Sequence, residues 1–291
     1  MPLIIRNIAR SYLLIIVLMI TFGSVLVSGQ TPLLTGQVNS YSRVTAVGAG
    51  YVIVDDAAGF AVNDTVMIMQ MSGVGINAGT ALEGNYQNTI GTPGRYEILV
   101  VSAVNTGTDR IDFTRVLINA YDPVARVQLV KVRSYRDAVV NSQLSCQAWD
   151  STSVTGGVLV FMVKGVLTLN ADINVSGAGF RGGIISQGNG LCQTSDDSIR
   201  WESYSIWAHA AGYKGEGIGI STAAGLSLNP GYMKGKGANM TGGGGGNGRY
   251  SGGGGGANYG AGSLGDQEMA PDLCGGLYPG GRGGFPVSSY S

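Results

Sequence analysis

Glycine divides this chain into two physical regimes, and that division constrains the fold more than any motif does. Of 50 glycines in 291 residues, 16 fall in residues 1–175 and 34 in the 116 residues that follow. The first regime carries enough side chains to bury a core. The second does not, because glycine adds nothing to packing and loses the most backbone entropy on ordering. The expected organisation is a signal segment at 1–29, a β-rich domain at 30–176 and a glycine-rich region at 177–291.

Within the first regime, short β-type segments alternate with Gly, Asn, Asp and Pro, and no run has helical spacing. Strands are expected at Tyr51 to Val54, Thr65 to Met71, Tyr96 to Val104, Arg110 to Phe113, Val127 to Val132 and Val158 to Val175. Asn63-Asp64 and Asn105-Thr106-Gly107 read as turns, since these residues tolerate positive φ or bond back to their own backbone. Leu167, Leu169, Ala171, Ile173 and Val175 alternate with Thr168, Asn170, Asp172, Asn174 and Ser176, giving one apolar and one polar face. Val158 to Val163 is apolar throughout, as in a strand covered on both faces. The Met67, Met69 and Met71 stripe reads as a strand face in the core. The fold class expected is all-β: a β-sandwich or β-solenoid-like domain followed by a glycine-rich module.

That module holds five-glycine runs at Gly242 to Gly246 and Gly252 to Gly256, ten residues apart. A flexible linker is one reading. Packed polyproline-II segments are the other, since glycine lets backbones approach closely. Tyr213, Tyr232, Tyr250, Tyr259 and Tyr278 favour the ordered reading, because linkers seldom need aromatics.

Arg6 and Arg10 precede an apolar stretch from Tyr12 to Ile20, and small residues follow at Val27-Ser28-Gly29. This is the layout of a secretory signal cleaved before Gln30. An uncleaved segment would instead anchor the chain, which is the one membrane contact expected. Either way the remainder is exported, secreted or held at a bacterial cell surface. Without those two arginines the balance of 18 basic and 18 acidic residues becomes about −2, and no basic cluster points to nucleic acid. Charged residues make up 12% of the chain, against about 25% in an average soluble domain. Such a surface suits a sugar-facing or extracellular role. Cys146, Cys192 and Cys274 lie far apart without metal-site spacing, and one pair of them is open to a disulfide.

Chemistry-bearing motifs are few. Gly177-Ala178-Gly179-Phe180-Arg181-Gly182 matches a dinucleotide fingerprint, but the glycines that follow exclude the helix whose N-terminus would receive the pyrophosphate. Gly231 to Lys236 has three residues between its glycines where a phosphate loop needs four. His209, the sole histidine, has no nucleophile elbow beside it. Asn170, Asp172 and Asn174 share a strand face, as a calcium site could use, yet no full ligand loop accompanies them. Asp55, Asp56, Asp196, Asp197 and Glu202 are the acids available for paired-carboxylate chemistry. Trp201, Tyr204 and Trp207 are the candidate ligand-stacking residues, with core packing as their alternative use. No catalytic, metal or cofactor-binding residue is assigned.

Val62 through Gly73, Gly94-Arg95-Tyr96-Glu97-Ile98, Val127 to Tyr135, Trp149-Asp150 and above all Gly156 through Gly183 resemble large secreted glycine-rich, adhesin-like surface proteins of gliding and predatory bacteria. The resemblance spans roughly residues 40 to 260. It implies location and architecture rather than chemistry. The function expected is an exported, non-catalytic structural or adhesion protein, with polysaccharide or cell-surface ligands and further copies of itself as the partners. The glycine tract is also similar in composition to that of anaplastic lymphoma kinase-type receptors, where polyproline-II helices pack beside a β-sandwich. The alternative function is a secreted carbohydrate-active enzyme or glycan-binding module on a β-solenoid. The ending after Gly283-Gly284, without a closing apolar strand, leads us to expect a piece of a longer protein.

Overall fold

In the computed structural model the described residues are 31–76, 93–185, 211–221, 234–246, 251–258, 260–266 and 280–285. Those from Leu33 onward belong to one compact unit. Their strands are β1 (Leu33–Gln37), β2 (Tyr41–Val47), β3 (Tyr51–Val54), β4 (Thr65–Gln70), β5 (Val74–Ile76), β6 (Tyr96–Asn105), β7 (Arg110–Phe113), β8 (Val127–Tyr135), β9 (Ala138–Ser145), β10 (Phe161–Val163), β11 (Leu167–Leu169) and β12 (Gly219–Ser221). A single 3₁₀ turn, Pro123–Ala125, lies between β7 and β8, and no α-helix occurs among the described residues. The fold is all-β, as the sequence pattern indicates.

Six strands close into a barrel. β8 pairs with β2 along one edge and β4 along the other, completing the ring β8–β2–β3–β7–β6–β4 with antiparallel contacts throughout. Closure removes the exposed strand edges that an open sheet would present. Alternate residues point inward, so Val44, Val52, Val54, Val66, Ile68, Leu99, Val101, Ile111, Phe113, Val127 and Leu129 fill the interior as one buried cluster. Each such side chain contributes about 1.5–3 kcal/mol by leaving water. Both turns behave as their residues indicate: Asn63 adopts φ +70°, and the Asn105 side chain accepts from the Gly107 amide at 3.0 Å.

A second apolar layer covers one side of the barrel. Met67, Val130 and Val132 face outward and are buried beneath Tyr41, Met69, Val158, Val160 and Met162, so the methionine stripe lies between barrel and covering segment rather than inside the barrel. The covering segment is fastened by polar groups. Asn39 donates to the carbonyls of Lys131 (2.9 Å) and Val160 (2.6 Å) and accepts from the Val160 amide (3.0 Å). Buried Gln128 exchanges a pair of 3.0 Å hydrogen bonds with the Gly156 backbone. Val158, Val160 and Met162 pack on this layer while Leu159, Phe161 and Val163 pack on the next core, so the segment is covered from both sides, each residue half-buried.

Beyond the barrel the chain stacks in parallel. The end of β8 pairs with β10 (Arg133 opposite Phe161), and β9 lies between β1 and β11 (Val139 opposite both Leu33 and Thr168). The register persists past β11: Leu144 bridges Ile173, and the Trp149 amide donates to the Ala178 carbonyl, pairs 29 residues apart in each case. This is the layering of a solenoid, with Leu34, Ala138, Val140 and Leu144 buried between its walls. The apolar row of β11 continues that inward column but remains open: Leu169 is 59% and Ile173 42% exposed, since no further strand is laid on them among the described residues.

The described glycine-rich segments pack through backbone instead of side chains. Gly252 and Gly255 donate to Asp266 and Ser263, Gly254 and Ala257 to Gly244 and Thr241, Gly262 and Gly265 to Gly284 and Gly281, and Gly212 and Gly215 to Gly246 and Gly243. Partners recur at every third residue. Three residues per turn is the repeat of a polyproline-II helix, whereas a strand repeats every second residue. A Cβ on Gly243, Gly244, Gly245, Gly254 or Gly281 would fall into a neighbouring carbonyl, so no other residue fits at this separation.

Candidate functional site

Two features of the described surface have the geometry of binding sites. The first is the outward face of the β1–β9–β11 sheet. Strand alternation turns Thr35 and Gln37, then Asn141, Gln143 and Ser145, then Thr168, Asn170, Asp172 and Asn174 away from the interior. Gln37 stands opposite Ser145, and the constant register of β9 against the following layer places Asn141 beside Asn170 and Gln143 beside Asp172. All of these are exposed except half-buried Ser145. The result is a grid about 4.8 Å between strands and about 6.6 Å along each strand, made mostly of amides and hydroxyls with Asp172 as its one charge. Leu33 and Val139 stand beside Thr168 at one end, and the register of β1 against β9 shifts between Leu34 and Gly36. Asn170, Asp172 and Asn174 form a row on this grid rather than a ring around a common point.

The second feature is a cavity of about 390 Å³ where the parallel stack meets the glycine-rich segments. Phe180, Arg181, Glu216, Ile218, Thr241 and Asn258 supply its side chains, and the rest of its wall is largely glycine backbone. Phe180 is held edge-on to the buried Trp149 ring, with centroids 5.5 Å apart and planes at 87°. Glu216 is 5% exposed and accepts from both the Arg181 amide (3.1 Å) and the Arg181 guanidinium (3.0 Å). The same guanidinium donates to the Ser151 hydroxyl.

Burial pushes the Glu216 carboxyl up, but hydrogen bonds from the Arg181 side chain, Ser151 and the Arg181 backbone outweigh it and hold the group below its ordinary value. Glu216 is therefore ionised at neutral pH. Burial likewise depresses the Arg126 guanidinium; Glu216 draws it back up, while Arg181 and Arg43 press it down. These four charges share one neighbourhood. Glycoside cleavage needs two carboxylates across the scissile bond, and among the described residues Glu216 alone lines the cavity.

Of the residues singled out from sequence, Asn170, Asp172 and Asn174 are brought into the polar grid. Asp55 and Asp56 sit exposed in the turn after β3, apart from both features. Trp201, Tyr204, Trp207, His209, Asp196, Asp197, Glu202, Cys192 and Cys274 lie outside the described residues. Cys146 is buried and unbridged, and burial pushes its thiol up. Phe180-Arg181-Gly182, part of the apparent dinucleotide fingerprint, leads into no helix through residue 185 and lines the cavity instead. The Arg181–Glu216 pair was invisible to sequence reasoning: its partners stand 35 residues apart, each among glycines, with no local period linking them.

The sequence matches no protein-family model. No curated protein matches it either. Among solved structures there is a likeness to the tailspike protein gp49 from Pseudomonas phage LKA1, at 14% identity and a TM-score of 0.22, covering 39% of this chain and 20% of that one. The aligned part is about a fifth of that protein, and at this level of similarity fold and function rest on the chain's own residues.

Proposed function

We propose that this chain is part of a secreted or cell-surface structural and adhesion protein, without a catalytic step of its own, that holds neutral polysaccharide on the outer face of its parallel stack. The observation that carries the reading is the polar grid. Its amides and hydroxyls are exposed and fixed in register by backbone pairing, and Thr35, Gln37, Asn141, Gln143, Asn170 and Asp172 have no hydrogen-bond partner for their side chains among the described residues. Hydroxyl-rich polymers offer matching donors and acceptors at short, regular intervals, and a nearly uncharged face neither demands nor repels a charged partner. Individual contacts of this kind are weak, so affinity comes from many of them acting together. The export signal expected at 1–29 and the sequence's resemblance to secreted adhesins are in keeping with such a role.

Affinity electrophoresis of the exported chain through gels cast with neutral glucans and mannans tests the proposal. Retardation in at least one gel is expected, and its loss in a combined Gln143→Ala, Asn170→Ala, Asn174→Ala variant. Equal mobility with and without every polymer would overturn the reading. Release of reducing ends that disappears with Asp172→Asn would overturn its non-catalytic part. Trp207→Ala in the same gels shows whether Trp201, Tyr204 and Trp207 add a stacking platform. N-terminal sequencing of the exported product, expected to begin at Gln30, checks cleavage of the leader.

A further inference from the structure

Resting on the polysaccharide reading, we infer that the cavity beside Arg181 and Glu216 is a second, separate site that takes one saccharide unit, with an aromatic side chain under the ring and an ion pair on its hydroxyls. Its volume of about 390 Å³ lies in the range of small-molecule sites, roughly 300–1,000 Å³. Such sites combine an apolar surface with a few fixed polar groups.

Each requirement of a sugar ring has a counterpart on the wall. The apolar C–H face of a pyranose needs a flat hydrophobic partner, and Phe180 is half-exposed with its orientation set by Trp149. Vicinal hydroxyls both donate and accept, and they need an acceptor and a donor side by side. Glu216 supplies the first from the floor of the cavity: its side chain is only 2% exposed but lines the wall, and of about four lone-pair positions on a carboxylate the Arg181 N–H groups and Ser151 occupy three. Arg181 supplies the second, because its side chain is 51% exposed even though it is paired. The exposed Asn258 amide adds a donor and an acceptor to the lining beside Gly254, Gly256 and Ala257.

Glycine makes the approach close enough. Among the described residues the Gly182 and Gly256 amides make no backbone hydrogen bond, and neither position puts a side chain between a ligand and the main chain. The buried ion pair is also pre-arranged: the Arg181 amide and guanidinium grip the same carboxylate, so little ordering remains for binding to impose.

Saturation-transfer NMR and titration calorimetry on the full exported chain, with methyl glycosides of glucose, galactose and mannose and with N-acetylglucosamine as probes, test the site. Binding of at least one probe is expected, weakened about tenfold or more by Phe180→Ala and by Glu216→Gln, the loss of one good contact each. Asn258→Ala, which leaves the backbone bond to Gly260 in place and changes only an exposed side chain, keeps the test decisive where Glu216→Gln fails to fold. No binding by any probe, or binding that survives Phe180→Ala and Asn258→Ala unchanged, would overturn the inference. The two readings fail separately. Loss of polymer retardation in the grid variant with monosaccharide binding intact sinks the face alone; polymer retardation with no monosaccharide binding sinks the cavity alone.

Discussion

The barrel and the glycine-rich bundle solve the same problem with opposite materials. In the barrel, backbone bonds run between neighbouring strands, and the interior is filled by branched side chains such as Val66, Ile68 and Leu129. In the bundle, glycine segments touch main chain to main chain, and a hydrogen bond at every third residue takes the place of a side-chain core. The difference teaches where each region is fragile. The barrel fails when a methyl group is removed from inside it. The bundle fails when one is added.

Truncating Ile68→Ala should therefore have the largest effect, about 4 kcal/mol lost in chemical denaturation, because the closed barrel cannot collapse onto the cavity. Gly244→Ala should come next at about 3 kcal/mol, since its Cβ would collide with the Lys236 and Gly237 backbone, which has no rotamer to yield. A small effect at Gly244 would break the comparison, by showing that the bundle tolerates side chains after all.

Smaller again is Glu97→Gln, at about 2 kcal/mol. Glu97 is buried at the barrel wall and accepts from the Ile118 and Asn119 amides, the Asn119 side chain and Arg115, tying down the segment after β7. Burial pushes its carboxyl up, but those hydrogen bonds prevail and hold it below the ordinary range. A carboxyl depressed in the folded state stabilises the protein above its unfolded value of about 4.3, and that stability is lost as pH falls through the folded value. Melting temperature of the wild type should thus drop below about pH 4, with a shallower drop in Glu97→Gln; parallel curves would show that Glu97 is not the titrating group. Because Glu216 in the glycine-rich part is depressed in the same direction, some acid sensitivity should persist in the variant.

The least effect belongs to Gly260→Ala, within about 0.5 kcal/mol of wild type, since its Cβ would meet nothing within 4 Å. Set against Gly244→Ala, it separates glycines required for close approach from glycines that merely occur in the tract.

Much of this architecture was legible along the chain. Tyr51–Val54 and Arg110–Phe113 are strands at the expected residues, and Thr65, Tyr96 and Val127 begin strands where apolar alternation begins. β1, β2, β5, β9 and β12 were not foreseen. Thr, Gly, Ser, Asn and Gln interrupt their apolar pattern, and they are strands because a partner supplies the hydrogen bonds. The polar row Asn170, Asp172 and Asn174 was visible; that it extends across three strands depends on parallel register with β9 and β1. The opposite row was legible only in direction: alternation shows that Leu169 and Ile173 face inward, not whether anything lies over them.

By itself, then, the sequence determined strand positions with strong alternation and the turns at Asn63 and Asn105, because these follow from properties of residues a few positions apart. Only the tertiary structure decided that β8 pairs with both β2 and β4 to close a barrel, that the two five-glycine runs lie against each other, and that Arg181 meets Glu216. Those contacts join segments separated by loops. Their choice among competing partners is settled by the free energy of the whole packed arrangement, which no local period encodes.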